Sequence, residues 1–191
     1  MSERETATGG LGLVQTFVNT LDMVPRNEEL NDPNTLKAWL VARDLMDPSQ
    51  PVDEADLKHA HAVREAMRAV IGGNSGYRIY PVELATLNEA ASASKLRMRF
   101  GPEGRARLEP QASGAVGAIG RLVASFYSAM QDENWERLKL CSSDECRWAF
   151  YDRSKNHSSR WCTMASCGNR EKARRFRAQK KLPSGRLHRH A

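Results

Sequence analysis

At 191 residues, 40% of them apolar and 27% charged, the chain has the composition of a globular protein with one core-forming domain and a small appendix. The opening "MSERETATGG" lacks a basic stretch followed by an apolar one, and no apolar run approaches the ~20 residues that cross a bilayer. These features speak against secreted and membrane-spanning classes, and a cytoplasmic protein is expected. Charge is uneven: residues 1–140 hold 16 Lys/Arg and 19 Asp/Glu (net −3), whereas residues 141–191 hold 13 and 4 (net +9). So basic a segment suggests a polyanion partner, with a merely solvated tail as the alternative.

In chain order, "LVQTFVNTLD" is a short apolar segment, helix or strand, closed by Pro25. "DPNTLKAWLVARDLM" has Asp32 as N-cap and Pro33 at the first helical position, with Leu36, Trp39 and Leu40 on one face. Asp53 caps a second helix in which Ala60, Val63, Met67 and Val70 recur at helical spacing, ended by Gly72-Gly73. A third helix begins at Pro81. Leu96, Met98 and Phe100 then alternate with Arg97 and Arg99, and "GPEG" supplies the turn of a hairpin. "SGAVGAIGRLVASFYSAM" returns to a helical pattern despite its glycines, and "RLKL" leads into Cys141.

All four cysteines lie between 141 and 167, in two pairs of C-x4-C spacing: Cys141 and Cys146, then Cys162 and Cys167. Each pair can chelate one ion while the fifteen residues between them fold as a loop or hairpin. Four thiolates in a tetrahedron suit a structural Zn²⁺ with no open position. An iron–sulfur cluster and four reduced core cysteines are the competing readings. "RWAFYD" and "SRWC" are expected as two short strands, with Trp148, Phe150, Tyr151 and Trp161 as a small core. His157 is not expected as a ligand, and His59 and His61 read as surface residues. After Cys167, "GNREKARRFRAQKK" reads as a helix ended by Pro183. Arg170, Arg174, Arg177 and Lys181 form one stripe on it, and Ala173 and Phe176 face the finger.

At Cys167-Gly168-Asn169-Arg170 the sequence resembles the CGNR zinc-finger family, as do both cysteine pairs, the middle "CRWAFYDRSKNHSSRWC" and the basic "REKARRFRA". Upstream, "FVNTLD", "FGPEG" with "LEP", and "NWERLKLC" resemble the ABATE domain that precedes this finger in bacterial proteins. The resemblance implies a stress-linked transcription regulator whose finger binds DNA.

The expected fold is α+β and mainly helical. A helical N-terminal domain with a small β-hairpin (1–140) precedes a treble-clef-like, four-cysteine zinc finger with a basic helix (141–183) and a disordered tail (184–191). Cys141, Cys146, Cys162 and Cys167 are the expected ligands of one structural Zn²⁺. Arg170 and Arg174 are candidates for groove contacts with bases, because only Arg offers a bidentate fork for guanine. Lys172, Arg175 and Arg177 suit phosphates. The N-terminal domain is expected to sense a small-molecule ligand or mediate assembly. An RNA- or ribosome-associated factor and a zinc-stabilised protein-interaction module are the alternatives. No nucleotide-binding glycine motif or nucleophile–base pair is found, and no enzyme is expected.

Overall fold

A computed structural model describes residues 6–181. The expected tail (184–191) and Pro183 lie outside the described residues. The fold is α+β and mainly helical. Helices α1 (Gly9–Val18), α2 (Pro33–Val41), α3 (Glu54–Gly73), α4 (Pro81–Ala93) and α5 (Gly114–Met130) build the body, and α6 (Asn169–Lys181) closes the finger. The opening apolar segment is therefore helical as far as Val18.

Local chemistry sets the helix starts. The Asp32 carboxylate accepts the Thr35 N–H at 2.8 Å, and the Asp32 N–H donates to Thr35 Oγ1 at 3.1 Å. Asp53 and Asp56 form the same reciprocal pair at the head of α3. Leu36, Trp39 and Leu40 face the core from α2, as do Ala60, Val63, Met67 and Val70 from α3. The glycines of α5 permit close packing: a Cβ on Gly120 would lie 2.4 Å from the Ser94 Cβ, where α4 ends. One apolar core joins these helices, and α1 and α3 each pack against α5.

Three antiparallel two-stranded sheets are found among the described residues. The expected hairpin is β3 (Arg97–Phe100) with β4 (Ala106–Glu109), in register Arg97 to Glu109. It stands out from the body, with Met98 62% and Phe100 72% exposed. A second hairpin, β1 (Leu21–Met23) with β2 (Arg26–Glu28), was not expected from "LDMVPRNE".

The third sheet corrects the expected strand pairing. β6 (Ala149–Tyr151) does not pair with "SRWC". It pairs with β5 (Leu138–Leu140), in register Leu140 to Ala149. The pair joins residues on either side of the boundary between 140 and 141, and Leu138, Leu140 and Ala149 join the main core. Tyr151 packs against that core too, so among the four expected finger aromatics it is Trp148 and Trp161 that surround the cysteines.

Two arginines of α3 face inward, each 3% exposed. Arg64 makes two bonds of 2.7 Å to the Glu28 carboxylate on β2 and one of 3.1 Å to Thr20 Oγ1. Arg68 bonds Glu65 at 3.0 Å, the Val18 carbonyl, and the Arg147 carbonyl at 3.1 Å. The paired charges offset part of their desolvation. Arg68 thereby ties α1 and α3 to the start of the finger.

Candidate metal centre and nucleic-acid interface

Cys141 and Cys146 occupy the turn of the β5–β6 hairpin. The Cys141 N–H donates to the Trp148 carbonyl at 2.9 Å, and the N–H groups of Cys146 and Arg147 converge on the Ser143 carbonyl at 2.9 and 3.1 Å. Arg147 adopts φ 48°, the left-handed turn that brings Cys146 back toward Cys141. In the second pair Cys162 precedes a π-helical turn (Met164–Gly168) that contains Cys167 and runs directly into α6. Thr163 organises it, accepting the Ser166 N–H at Oγ1 (3.2 Å) and the Gly168 N–H at its carbonyl (3.1 Å).

These two turns bring four sulfurs within 4.8 Å of one another. Cys146 and Cys162 Sγ lie 3.8 Å apart, and Cys162 and Cys167 Sγ 3.6 Å apart. A tetrahedron with ~2.3 Å Zn–S bonds has edges of about 3.8 Å, close to the two separations above, so the cluster suits Zn²⁺. No pair is bonded as a disulfide. Hydrogen bonds from Cys146 and Cys162 pull the Cys141 thiol down, and the same contacts with Cys141 push the thiols of Cys146 and Cys162 up. A cation among them is what allows all four sulfurs to be thiolates together. Cys141, Cys146 and Cys167 are buried and Cys162 partly so, as befits a structural site holding one zinc.

Arg170, in the first turn of α6, aims its guanidinium back at the metal site. Its Nη2 lies 3.4 Å from Cys167 Sγ and 3.2 Å from Ser166 Oγ. A donor on a ligand sulfur tempers its negative charge and fixes its orientation. Lys172, Arg174 and Arg177 are exposed along the helix, and Arg175 lies between them in the chain. Arg174, whose side chain is 67% exposed, bonds Glu171, whose side chain is 13% exposed, at 2.9 Å. The expectation that Ala173 and Phe176 face the finger does not hold: Ala173 is exposed and Phe176 is 59% exposed, with Lys180 Nζ 4.8 Å from the centre of its ring. Among the described side chains of α6 beyond Glu171, all are exposed.

Sequence reasoning missed the residues that fix the finger to the body. Gln15 on α1 and Asn19, which caps its C-terminus, donate to the Ala149 carbonyl at 3.2 and 2.8 Å, and Asn19 Oδ1 accepts the Ala149 N–H at 2.9 Å. The Arg147 guanidinium stacks 4.2 Å over Tyr77. Asp152, 1% exposed, holds Lys139 Nζ at 2.9 Å together with the N–H groups of Ser154 (2.9 Å) and Ser159 (3.0 Å). Burial alone would raise its carboxyl pKa, but the bonds from Lys139, Ser154 and Ser159 outweigh that and hold it well below the carboxylate range. Only partner geometry marks these residues, since a single Asp or Gln carries no periodic signal. His157 is exposed and outside the sulfur cluster. His61 is half-buried, with Nε2 2.8 Å from the Leu30 carbonyl.

No helix of the described residues is long and apolar enough to cross a membrane. A cleft of about 180 Å³ lies where the body meets the finger, lined by Gln15, Thr16, Asn19, Arg43 and Trp148 among others.

Residues 137–180 match the CGNR zinc finger, and residues 11–130 match ABATE, described as "Putative stress-induced transcription regulator". No curated protein matches the chain closely. The finger match begins at Arg137, ahead of the first cysteine, and takes in the whole β5–β6 hairpin. The ABATE match covers most of the chain, and this protein belongs to the ABATE family, with a CGNR zinc finger following that domain.

Proposed function

We propose that the protein is a DNA-binding transcription regulator in which zinc fixes the base of α6 and α6 carries the contacts. The observation that carries this reading is the exposure of Lys172, Arg174 and Arg177 on a helix anchored at the metal site. A helix so short of apolar contacts would be marginal alone, and the four-sulfur site supplies its nucleus. Lys172, Arg175 and Arg177 hold phosphates, and Arg174 is placed to reach a base edge. Arg170 combines a groove-facing position with its bond to Cys167, so its first role is to brace the finger. The body senses a ligand or mediates assembly. The cleft shared by α1 residues and Trp148 supports the sensing role, because an occupant there touches body and finger together.

Enrichment of a motif from randomised duplex DNA by the full-length, zinc-loaded protein tests the regulator reading. A recurrent motif is expected. Recovery of unrelated sequences, with RNA or heparin competing equally at fixed salt, would remove it.

A further inference from the structure

We propose that the loop 153–160, between β6 and the second cysteine pair, is a second phosphate-contacting surface that grips the same DNA backbone as α6. This rests on the DNA-binding reading above. The loop is shaped from within. Asp152 gathers Lys139 and the N–H groups of Ser154 and Ser159. From the other side, Arg137 Nη1 donates to the carbonyls of Asp152 (2.9 Å) and Ser154 (3.2 Å). The Ser158 N–H closes the loop on Ser154 Oγ at 3.0 Å. None of these bonds uses the side chains of Lys155 or Arg160, and both residues are exposed.

The charge of this segment faces one way. Residues 152–160 contain a single carboxylate, Asp152, and it is buried against Lys139. Outside remain Arg153, Lys155 and Arg160, with no acid among the exposed residues of the loop. Gathering cations without an acid costs self-repulsion in the unbound protein and attracts a polyanion. Beside the loop is a cleft of about 210 Å³, whose lining includes Asn74, Ser75, Ser142, Ser158, Ser159 and Arg160. Asn74 and Ser75 are engaged by the backbone of Trp135, Leu138 and Leu140, so the hydroxyls of Ser142, Ser158 and Ser159 beside the Arg160 guanidinium are the donor set that suits a phosphodiester oxygen. A loop already held in shape also loses little entropy on binding.

The loop and α6 adjoin the same turn of chain. The Ser142 N–H donates to the Arg160 carbonyl at 2.8 Å. The knuckle from Cys141 to Cys146 that separates the loop from α6 carries two exposed acids, Asp144 and Glu145, so a backbone that meets both Arg160 and the first turns of α6 must pass clear of them.

The test is salt titration of duplex-DNA binding by the full-length protein at matched zinc content. Each phosphate contact contributes ~0.9 to the log–log slope, so a Lys155→Gln/Arg160→Gln protein should lose a little under two units. A Lys155→Arg/Arg160→Lys protein should keep the wild-type slope, because phosphate contacts read charge. If wild type binds DNA and α6 substitutions weaken it while the Gln pair leaves the slope unchanged, the loop proposal is overturned and the helix reading stands. If the charge-conserving pair loses the slope as fully as the Gln pair, the loop acts through shape and the proposal also fails. If wild type shows no salt-dependent binding, both readings fall together.

Discussion

In the body, Phe17, Leu36, Leu40, Met67 and Ile119 are no more than 1% exposed, and even Arg64 and Arg68 turn inward to meet carboxylates and carbonyls. In the finger, the cluster around the cysteines comprises little more than Trp148 and Trp161, while Lys172, Arg174 and Arg177 face solvent. The body is held by burial and draws Arg64 and Arg68 into its own fold. The finger is held by a metal and keeps its cations outward. A domain too small to bury a core can thus still present a rigid cationic surface.

Zinc removal tests that contrast with the largest effect. Structural zinc contributes ~10–16 kcal/mol in small finger peptides, so a chelator should unfold the cysteine turns and release α6. Trp148 and Trp161 fluorescence should change in one step with zinc loss, while the helical signal of the body persists. Cys162→Ser should reproduce the effect. A Cys162→Ser protein that keeps full zinc occupancy would contradict the four-sulfur site.

A smaller effect is expected at the seam. A chain ending at Leu140 retains the helices of the body but loses β6, the partner of β5, together with the Ala149 groups that Gln15 and Asn19 engage. It should remain soluble and melt cooperatively, but about 2–4 kcal/mol less stably than a chain ending at 152, at ~1 kcal/mol per lost bond. Denaturant melts of the two truncations measure this difference. A disordered 1–140 chain would mean that body and finger share one folding unit.

Asp152 sharpens the comparison at the scale of one side chain. Asp152→Asn should cost about 1–3 kcal/mol at neutral pH, since Lys139 and two N–H groups lose a charged acceptor. The native carboxyl is held below its unfolded value, so its stabilising effect is complete above about pH 4 and fades as pH falls further. The gap between wild type and Asp152→Asn, read from denaturant melts at matched zinc, should therefore narrow in acid. A gap that is constant down to pH 2 would assign the cost to packing instead of charge.

Much of this architecture was legible in the chain. Asp32 and Asp53 announced helix starts because a cap is a local device, and the cysteine spacing announced the metal because chelation is local too. The partner of β6 was not legible. "SRWC" and "LKL" are both plausible short strands, and the choice falls to Leu138 and Leu140, which bury in the body core. Arg64 and Arg68 sit at i and i+4 like an exposed charged face, but Glu28, placed by an unforeseen hairpin, meets Arg64, and the carbonyls of Val18 and Arg147 meet Arg68. Phe176 misled in the opposite sense. Its spacing from Ala173 suggests an apolar face, but both residues are exposed.

The central claim is that the outward cations of α6 are the nucleic-acid contact. Its most direct test compares the full-length, zinc-loaded protein with a variant carrying Gln at Lys172, Arg174, Arg175 and Arg177. Arg170 is left in place to guard Cys167. Four phosphate-range contacts at ~0.9 each should lower the magnitude of the log–log salt slope on duplex DNA by about 3–4, with zinc content unchanged. An unchanged affinity and slope in that variant would contradict the claim and leave α6 as a docking helix for an acidic protein.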